Sequence, residues 1–431
     1  MPENSSELKR ELGTLQAMML GLGSIIGTGV FVSLGIAVDV AGNLVLPAIV
    51  CAAILAMCNG ISSAQLAANH PLSGGTYEYG YRWLNPRLGF TAGWMFMFAK
   101  SASAATAALG LVGYSQQLSG VGSQYTLLIA LITVLLLTAV TLSGIKRSST
   151  VNSIIVSVTI VTLLAFIVAG IKHSQTTEFA PFQDLVGNWS KHPTQFFEAI
   201  ALLFVAYTGY GRIATLGEEV VNPRRTIPKA ILTTLLASMF LYASVTFVAL
   251  KCVGAEQFGT YATYSIAPLQ LIATDFGSPS IVWAISIGAI TAMLGVLLNL
   301  ILGLSRVLLA MGRRKDVPGL MGNVHQASGV PREATITVAL IISLLILIGD
   351  VRLTWSFSAF TVLIYYALTN LCAIRLSSEE RLYPAWISYL GLSGCLFLAC
   401  WINRAVLISG LILLGCAQLW FTASRRLSVA D

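Results

Sequence analysis

The chain has 431 residues, 56% of them hydrophobic and 10% charged, with a formal net charge of +7. A soluble domain carries about a quarter charged residues, so this composition excludes a soluble enzyme and fits a polytopic membrane protein. The basic residues are scattered between apolar segments, which argues against a nucleic-acid surface and for membrane topology.

The N-terminal MPENSSELKRELG is polar and lacks the short apolar core of a cleaved signal peptide. The first apolar segment is therefore expected to direct insertion. Runs of about twenty apolar residues, enough to span a bilayer as a helix, recur along the chain. Twelve are predicted, at 14–36, 43–67, 89–117, 124–143, 151–171, 194–218, 229–252, 280–311, 333–349, 354–375, 384–402 and 405–423. Segments 89–117 and 280–311 exceed one straight crossing and are expected to tilt or to extend into the cytoplasm. The longest outer loops, 172–193 and 253–279, carry Trp189, Tyr261 and Tyr264 as interface or vestibule residues. With the N-terminus in the cytoplasm, 17 Lys and Arg fall on that side and 5 outside, while Lys100, Arg212 and Arg306 lie within segments. This bias is the one that sets orientation, and an even count leaves both termini cytoplasmic. The seven cysteines show no C-x-x-C spacing and read as small buried hydrophobes.

The first segment contains GLGSIIGTGVF at 21–31, with four glycines where a helix should be strongest. An echo, Gly209-Tyr210-Gly211, follows Gly27-Thr28-Gly29 at an offset of 182 residues, in a segment that crosses in the opposite direction. Interrupted helices at matching places in two inverted halves point to a transporter's midplane site. Such a break frees N–H groups on one half-helix and carbonyls on the other, and lipid can satisfy neither. The N–H end suits a carboxylate and the carbonyl end an ammonium or Na⁺. On this reading the glycines let the backbone leave helical geometry and let substrate approach. The alternative is packing, since Gly23 to Gly27 is also a G-x-x-x-G motif. A dinucleotide fingerprint is excluded because no strand precedes the run.

GSIIGTGVF resembles the first-helix signature of the amino acid–polyamine–organocation superfamily. HPLSGGTYEYGYRWLNPRLGFTAGW (70–94) is similar to its first cytoplasmic loop. FVAYTGYGRIATLGEEVVNPRRTIPKAI (204–231) is similar to its sixth helix and the loop after it. GLSRVLLAMGRRKDVPGLMGNVHQASGVP (303–331) is similar to the end of its eighth helix and loop. The resemblance implies an all-α membrane protein with twelve transmembrane helices: a five-plus-five inverted repeat with discontinuous helices 1 and 6, and two added C-terminal helices. The expected organisation is a cytoplasmic segment 1–13, a transport core 14–375, two further helices at 376–423 and a cytoplasmic tail 424–431. Carried over, Thr28 and Gly29, with Gly27, would meet a substrate carboxylate. The Ile25 carbonyl and carbonyls near Ala206, Tyr207 and Gly209 would meet the amine. Tyr207 or Tyr210 would shape the pocket or gate it; the alternative is that both are packing aromatics with satisfied hydroxyls.

Lys100 lies near the centre of the third segment, beside Ser101, Ser103, Ala104 and Ala107. A midplane lysine is costly and reads as functional by default. It is a candidate pocket residue, proton carrier or partner of an anionic substrate group; the alternative is a lysine snorkelling in a wet vestibule. Proton-coupled family members often carry a lysine in the fifth helix, where this chain has Thr159. A sodium site from the Gly23 and Ile26 carbonyls with Thr159 stays open, although Thr291 is isolated in the eighth segment. Arg212 is expected to pair with Glu218 or Glu219 at helical spacing. Glu218 and Glu219 with Arg224 and Arg225 read as gate or loop anchors, and Asn299 and Asn370 as interhelical hydrogen bonders. Histidines 70, 173, 192 and 325 fall in loops and form no metal set.

No Walker-type run and no H-E-x-x-H motif occurs, so no enzyme activity or cofactor is expected. The leading expectation is a secondary amino acid transporter, a permease or exchanger, working by alternating access on small neutral amino acids in the cell's inner (plasma) membrane. H⁺ or Na⁺ is the candidate coupling ion, lipid the surrounding partner, and no nucleic acid is expected. The alternatives are a carrier of an acidic amino acid or other carboxylate using Lys100, and a non-transporting amino acid sensor. Oligomeric state is not legible.

Overall fold

Within a bilayer the backbone must satisfy its own polar groups, and this chain does so with helices. The computed structural model describes residues 12–70, 74–144, 149–176, 193–214, 220–325 and 329–430. Among these there is no strand, only isolated bridges pairing Leu12 with Val220 and His325 with Val330. Nine described helical stretches are long and apolar enough to cross a membrane: Thr14–Asn69, Pro86–Ser119, Ser123–Leu142, Thr150–His173, Pro193–Ala214, Pro223–Tyr264, Pro279–Arg313, Val351–Ile374 and Arg404–Ser424. The described residues are thus helical throughout their regular structure, in keeping with a membrane protein.

The first stretch divides into α1 (Thr14–Ile25), α2 (Leu34–Ala41) and α3 (Val45–Asn69). Gly42, at φ +55°, turns the chain between α2 and α3. A short helix, α4 (Thr76–Trp83), leads into α5 (Pro86–Ser119). Asn85 starts α5 by accepting the Leu88 N–H on its side chain at 2.8 Å, with Pro86 in the first turn. Then follow α6 (Thr126–Leu142), α7 (Ser149–His173), α8 (Pro193–Tyr207), α9 (Gly211–Ala214) and α10 (Pro223–Tyr264). The chain closes with α11 (Pro268–Asp275), α12 (Pro279–Arg313), α13 (Arg332–Ile346), α14 (Val351–Ile374), α15 (Ala385–Ala399) and α16 (Arg404–Ala430).

One expectation is corrected. Residues 253–279 are not an open loop: α10 continues past a kink at Gly254 (φ +75°) and α11 follows. There Tyr261 donates to Asp275 at 3.0 Å, while Tyr264 is exposed. Trp189 lies outside the described residues. The cysteines divide: Cys58, Cys252, Cys372 and Cys395 are buried, whereas Cys51, Cys400 and Cys416 are exposed.

α5 is the central post. From Ala99 to Gly110 its side chains are small or short on nearly every face and are buried, so neighbouring backbones come close. It packs most extensively on α14 and α12. Hydroxyl pairs cross that seam, Ser103 with Ser358 at 2.8 Å and Thr106 with Thr354 at 2.9 Å. Asn370 does bond between helices, donating to Asn59 Oδ1 at 2.5 Å. α6, α7 and α16 lie peripherally, with many exposed leucines, isoleucines and valines, such as Leu128, Leu135, Val161 and Leu419.

α4 anchors one end of the bundle. Its Tyr77 and Tyr81 hydroxyls both donate to the buried Asp316 carboxylate at 2.6 Å, and Trp420 of α16 donates to the Asp316 carbonyl at 2.8 Å. Arg314 pairs with Glu78 and lies 4.3 Å over the Tyr81 ring. The α4–α5 crossing is backbone on backbone: a Cβ added at Gly80 would stand 2.5 Å from Gly89 Cα. Replacing Gly80 by Ala is expected to cost about 1–3 kcal/mol by overpacking and to lower the melting temperature in detergent. An unchanged melting temperature would show that α4 is not held by this contact.

Candidate functional site

α1 ends where Ile26 leaves helical geometry (φ −81°, ψ 89°). The Gly27 N–H donates to the Ile25 carbonyl at 3.1 Å, closing an inverse γ-turn around Ile26. Thr28 is helical again (φ −52°, ψ −32°) and leads into a π-helical turn, Gly29–Ser33, before α2. In that turn the Ser33 hydroxyl donates to the Gly29 carbonyl. The interruption therefore falls on isoleucine, and no glycine of this stretch has a positive φ. The glycines permit contact instead. A Cβ at Gly29 would strike the Tyr242 hydroxyl, one at Gly27 would reach Val296, and one at Gly23 would strike the Asn152 side chain.

The second interruption is milder than expected. α8 tightens into a 3₁₀ turn, Thr208–Tyr210, and continues as α9, with Tyr207 still helical (φ −88°, ψ −17°). Its carbonyls nevertheless turn to side chains. The Val205 carbonyl accepts from Thr208 Oγ1 at 2.7 Å, Ala206 from the Tyr242 hydroxyl at 3.2 Å, and Thr208 from the Tyr366 hydroxyl at 3.3 Å. The two interruptions touch, because a Cβ at Gly209 would land on the Ser24 carbonyl.

A cavity of about 160 Å³ opens between them. Ser24, Ile25, Thr28 and Gly29 line it from the first interruption, and Val205, Ala206, Thr208 and Gly209 from the second. Lys100 and Ser103 of α5, Arg212 of α9, Val296 and Asn299 of α12, and Trp355, Tyr365 and Tyr366 of α14 also line it. Lys100 Nζ donates to Thr208 Oγ1 at 2.8 Å, which ties α5 to the second interruption. Thr28 Oγ1 is buried without a hydrogen-bond partner, an uncommon state that calls for a ligand or other cause.

The cavity runs toward the α4 end, where Gly74, Gly75, Thr76, Arg306 and Val307 line it. Nearby, Arg82 lies 3.0 Å from His70 Nδ1. Burial and the Arg82 guanidinium hold the His70 imidazole below its usual range, so at neutral pH it is uncharged and can accept on Nδ1. Three contacts join helices away from that end. Trp355 donates to the Leu202 carbonyl at 3.0 Å, Tyr114 to the Phe31 carbonyl at 2.9 Å, and Arg352 pairs with Asp39 at 2.6 Å.

Of the residues singled out from sequence, Ile25, Thr28, Gly29, Lys100, Ala206 and Gly209 meet at this cavity. Gly27 faces Val296 behind its wall. Tyr207 and Tyr210 are buried but do not line it. Tyr207 donates to the Ile49 carbonyl at 3.3 Å, and Tyr210 packs on Tyr366 with ring centres 5.4 Å apart. Gly23 and Ile26 are buried on other faces, and Thr159 donates to the Ile155 carbonyl at 2.8 Å. Arg224 is exposed and donates to Asn69 Oδ1 at 3.2 Å; Glu218 and Glu219 lie outside the described residues. Asn299 lines the cavity. Among the described residues no cluster of His, Cys, Asp or Glu suits a metal. Sequence reasoning missed Tyr242, Trp355, Tyr365 and Tyr366. The small polar positions Ser358, Thr361 and Thr369 mark the buried part of α14, and Tyr242 has no such signal.

The amino acid permease family model matches residues 16–424. An uncharacterised transporter of Mycobacterium tuberculosis (strain ATCC 25618 / H37Rv) is 38% identical over 95% of this chain and 90% of its own length. A branched-chain amino acid permease of Bacillus subtilis (strain 168) is 30% identical over 76% of this chain and 72% of its own. A serine/threonine exchanger of the same organism is 28% identical over 92% of each. The chain thus belongs to the amino acid permease family, within the amino acid–polyamine–organocation superfamily, and is an integral membrane transporter and not an enzyme.

Proposed function

We propose that this permease carries a small neutral amino acid by alternating access, with both termini in the cytoplasm of the cell's inner membrane. The single observation that carries the reading is that Ile25 and Ala206, each with a carbonyl held by the Tyr242 hydroxyl, and Thr28, with a partnerless hydroxyl, line one cavity. The carbonyls suit an ammonium, and Thr28 with the first N–H groups of the resumed helix suits a carboxylate. Relatives are named for branched-chain amino acids and for serine and threonine, and others for cationic amino acids and methylthioribose, so the neutral reading rests on the cavity wall, which has no described acidic residue.

On this reading the chain makes twelve crossings in two inverted halves. α1 through α2, α3 and α5–α7 form the first five; α8 with α9, α10, α12, α13 and α14 the second; α15 and α16 follow. The cavity then opens to the cytoplasm, and the Asp39–Arg352 pair closes the outer side. Transport rocks the helices of the two interruptions, with α3 and α10, against the rest. Coupling is to H⁺ or Na⁺. A second reading, a carboxylate-bearing side chain, draws on Lys100 and Arg306 on a wall that has no described acidic residue.

Purified protein in liposomes is expected to take up or exchange small neutral amino acids saturably, in a screen run with and without Na⁺ and a pH gradient. Binding without uptake or exchange would instead indicate a sensor, and preference for aspartate or glutamate would select the second reading. Gly209→Ala is expected to cut uptake at least about tenfold, the effect of some 1.4 kcal/mol, because its methyl meets the Ser24 backbone; full activity would show that the interruptions need not touch. If Lys100 carries the coupling proton, Lys100→Met abolishes the response to a pH gradient and spares exchange. An unchanged response removes Lys100 from that role.

A further inference from the structure

We propose that the Tyr242 hydroxyl occupies the ammonium position of the empty carrier and that the substrate's amine displaces it. Tyr242 comes from α10 and is fully buried. Its hydroxyl lies 2.9 Å from the Ile25 carbonyl and 3.2 Å from the Ala206 carbonyl, one from each interruption. A phenol has a single proton to give, so it serves these two acceptors in shared fashion. Gly29 makes the position available, since a side chain there would strike the hydroxyl.

An ammonium has three donors and a full charge. It can give each carbonyl a proton of its own, which the hydroxyl cannot. The low dielectric that strengthens each ammonium–carbonyl bond also makes bare carbonyls costly when no substrate is present. Tyr242 meets that need and keeps the two interruptions joined while the carrier is empty. It is therefore a competitor of the amine and not its ligand. The inference rests on the reading that the Ile25 and Ala206 carbonyls receive the amine.

The test is equilibrium binding to the purified full chain and to Tyr242→Phe, using L-alanine and L-valine and, as amine-free counterparts, propionate and isovalerate. Removing the competitor is expected to tighten binding of both amino acids about three- to tenfold, the worth of one net hydrogen bond, and to leave the two carboxylates unchanged. Unchanged or weaker amino acid binding overturns the proposal. So does an equal gain for the amine-free acids, which would mark a general change of packing. If neither amino acid binds the unaltered protein, the substrate reading itself fails, and the proposal with it. Should Tyr242→Phe not fold, 3-fluorotyrosine at position 242 gives a fluorine resonance that must move with L-alanine and not with propionate. A resonance that stays still also overturns the proposal.

Discussion

A helix that stops inside a bilayer must find donors for its last carbonyls within the protein. The packing around the two interruptions follows from that need. At Ile26 the solution is partly local, through the γ-turn from Gly27, and partly tertiary, through the hydroxyl of Tyr242. In the 3₁₀ turn at 208–210 it is again mixed: the Thr208 hydroxyl closes back on the Val205 carbonyl, while Tyr242 and Tyr366 reach the Ala206 and Thr208 carbonyls from other helices. Side chains from α10 and α14 are thereby drawn to the centre of the molecule.

Close approach makes this possible. Gly29 and Gly209 admit groups that any side chain would exclude, a hydroxyl in one case and the Ser24 carbonyl in the other. The small residues of α5 do the same for α12 and α14. Without an aqueous hydrophobic effect between helices, such contact supplies the packing energy. Lys100 sits where these seams meet, its ammonium on Thr208. The cavity is thus bounded by backbone at the interruptions and by aromatic rings from α14, and it extends toward α4.

Much of this was legible in the sequence, for identifiable reasons. Apolar runs announce helices because the bilayer demands them, and the glycine echo located both interruptions. The backbone turns at Ile26 and not, as expected, at the glycines, which make room for neighbouring protein groups. Helix 6 was expected to break and instead tightens, because the Thr208 and Tyr242 hydroxyls can serve its carbonyls without a gap. Tyr207 and Tyr210 stood beside the motif and were natural pocket candidates, yet at helical spacing their rings turn into the packing. Tyr242 was invisible, since a lone tyrosine in LLASMFLYASVTF carries no pattern that tells contact from core. Its role depends on a contact with residues 217 positions away, which no local periodicity encodes.

The most direct measurement of whether one cavity reads both ends of a zwitterion is equilibrium binding of a transported amino acid beside its N-acetyl and methyl ester derivatives. If the two interruptions act as a pair, each derivative binds at least about tenfold more weakly than the parent, a loss of some 1.4 kcal/mol or more at each end. Binding of both derivatives as tightly as the parent contradicts a site built from helix ends.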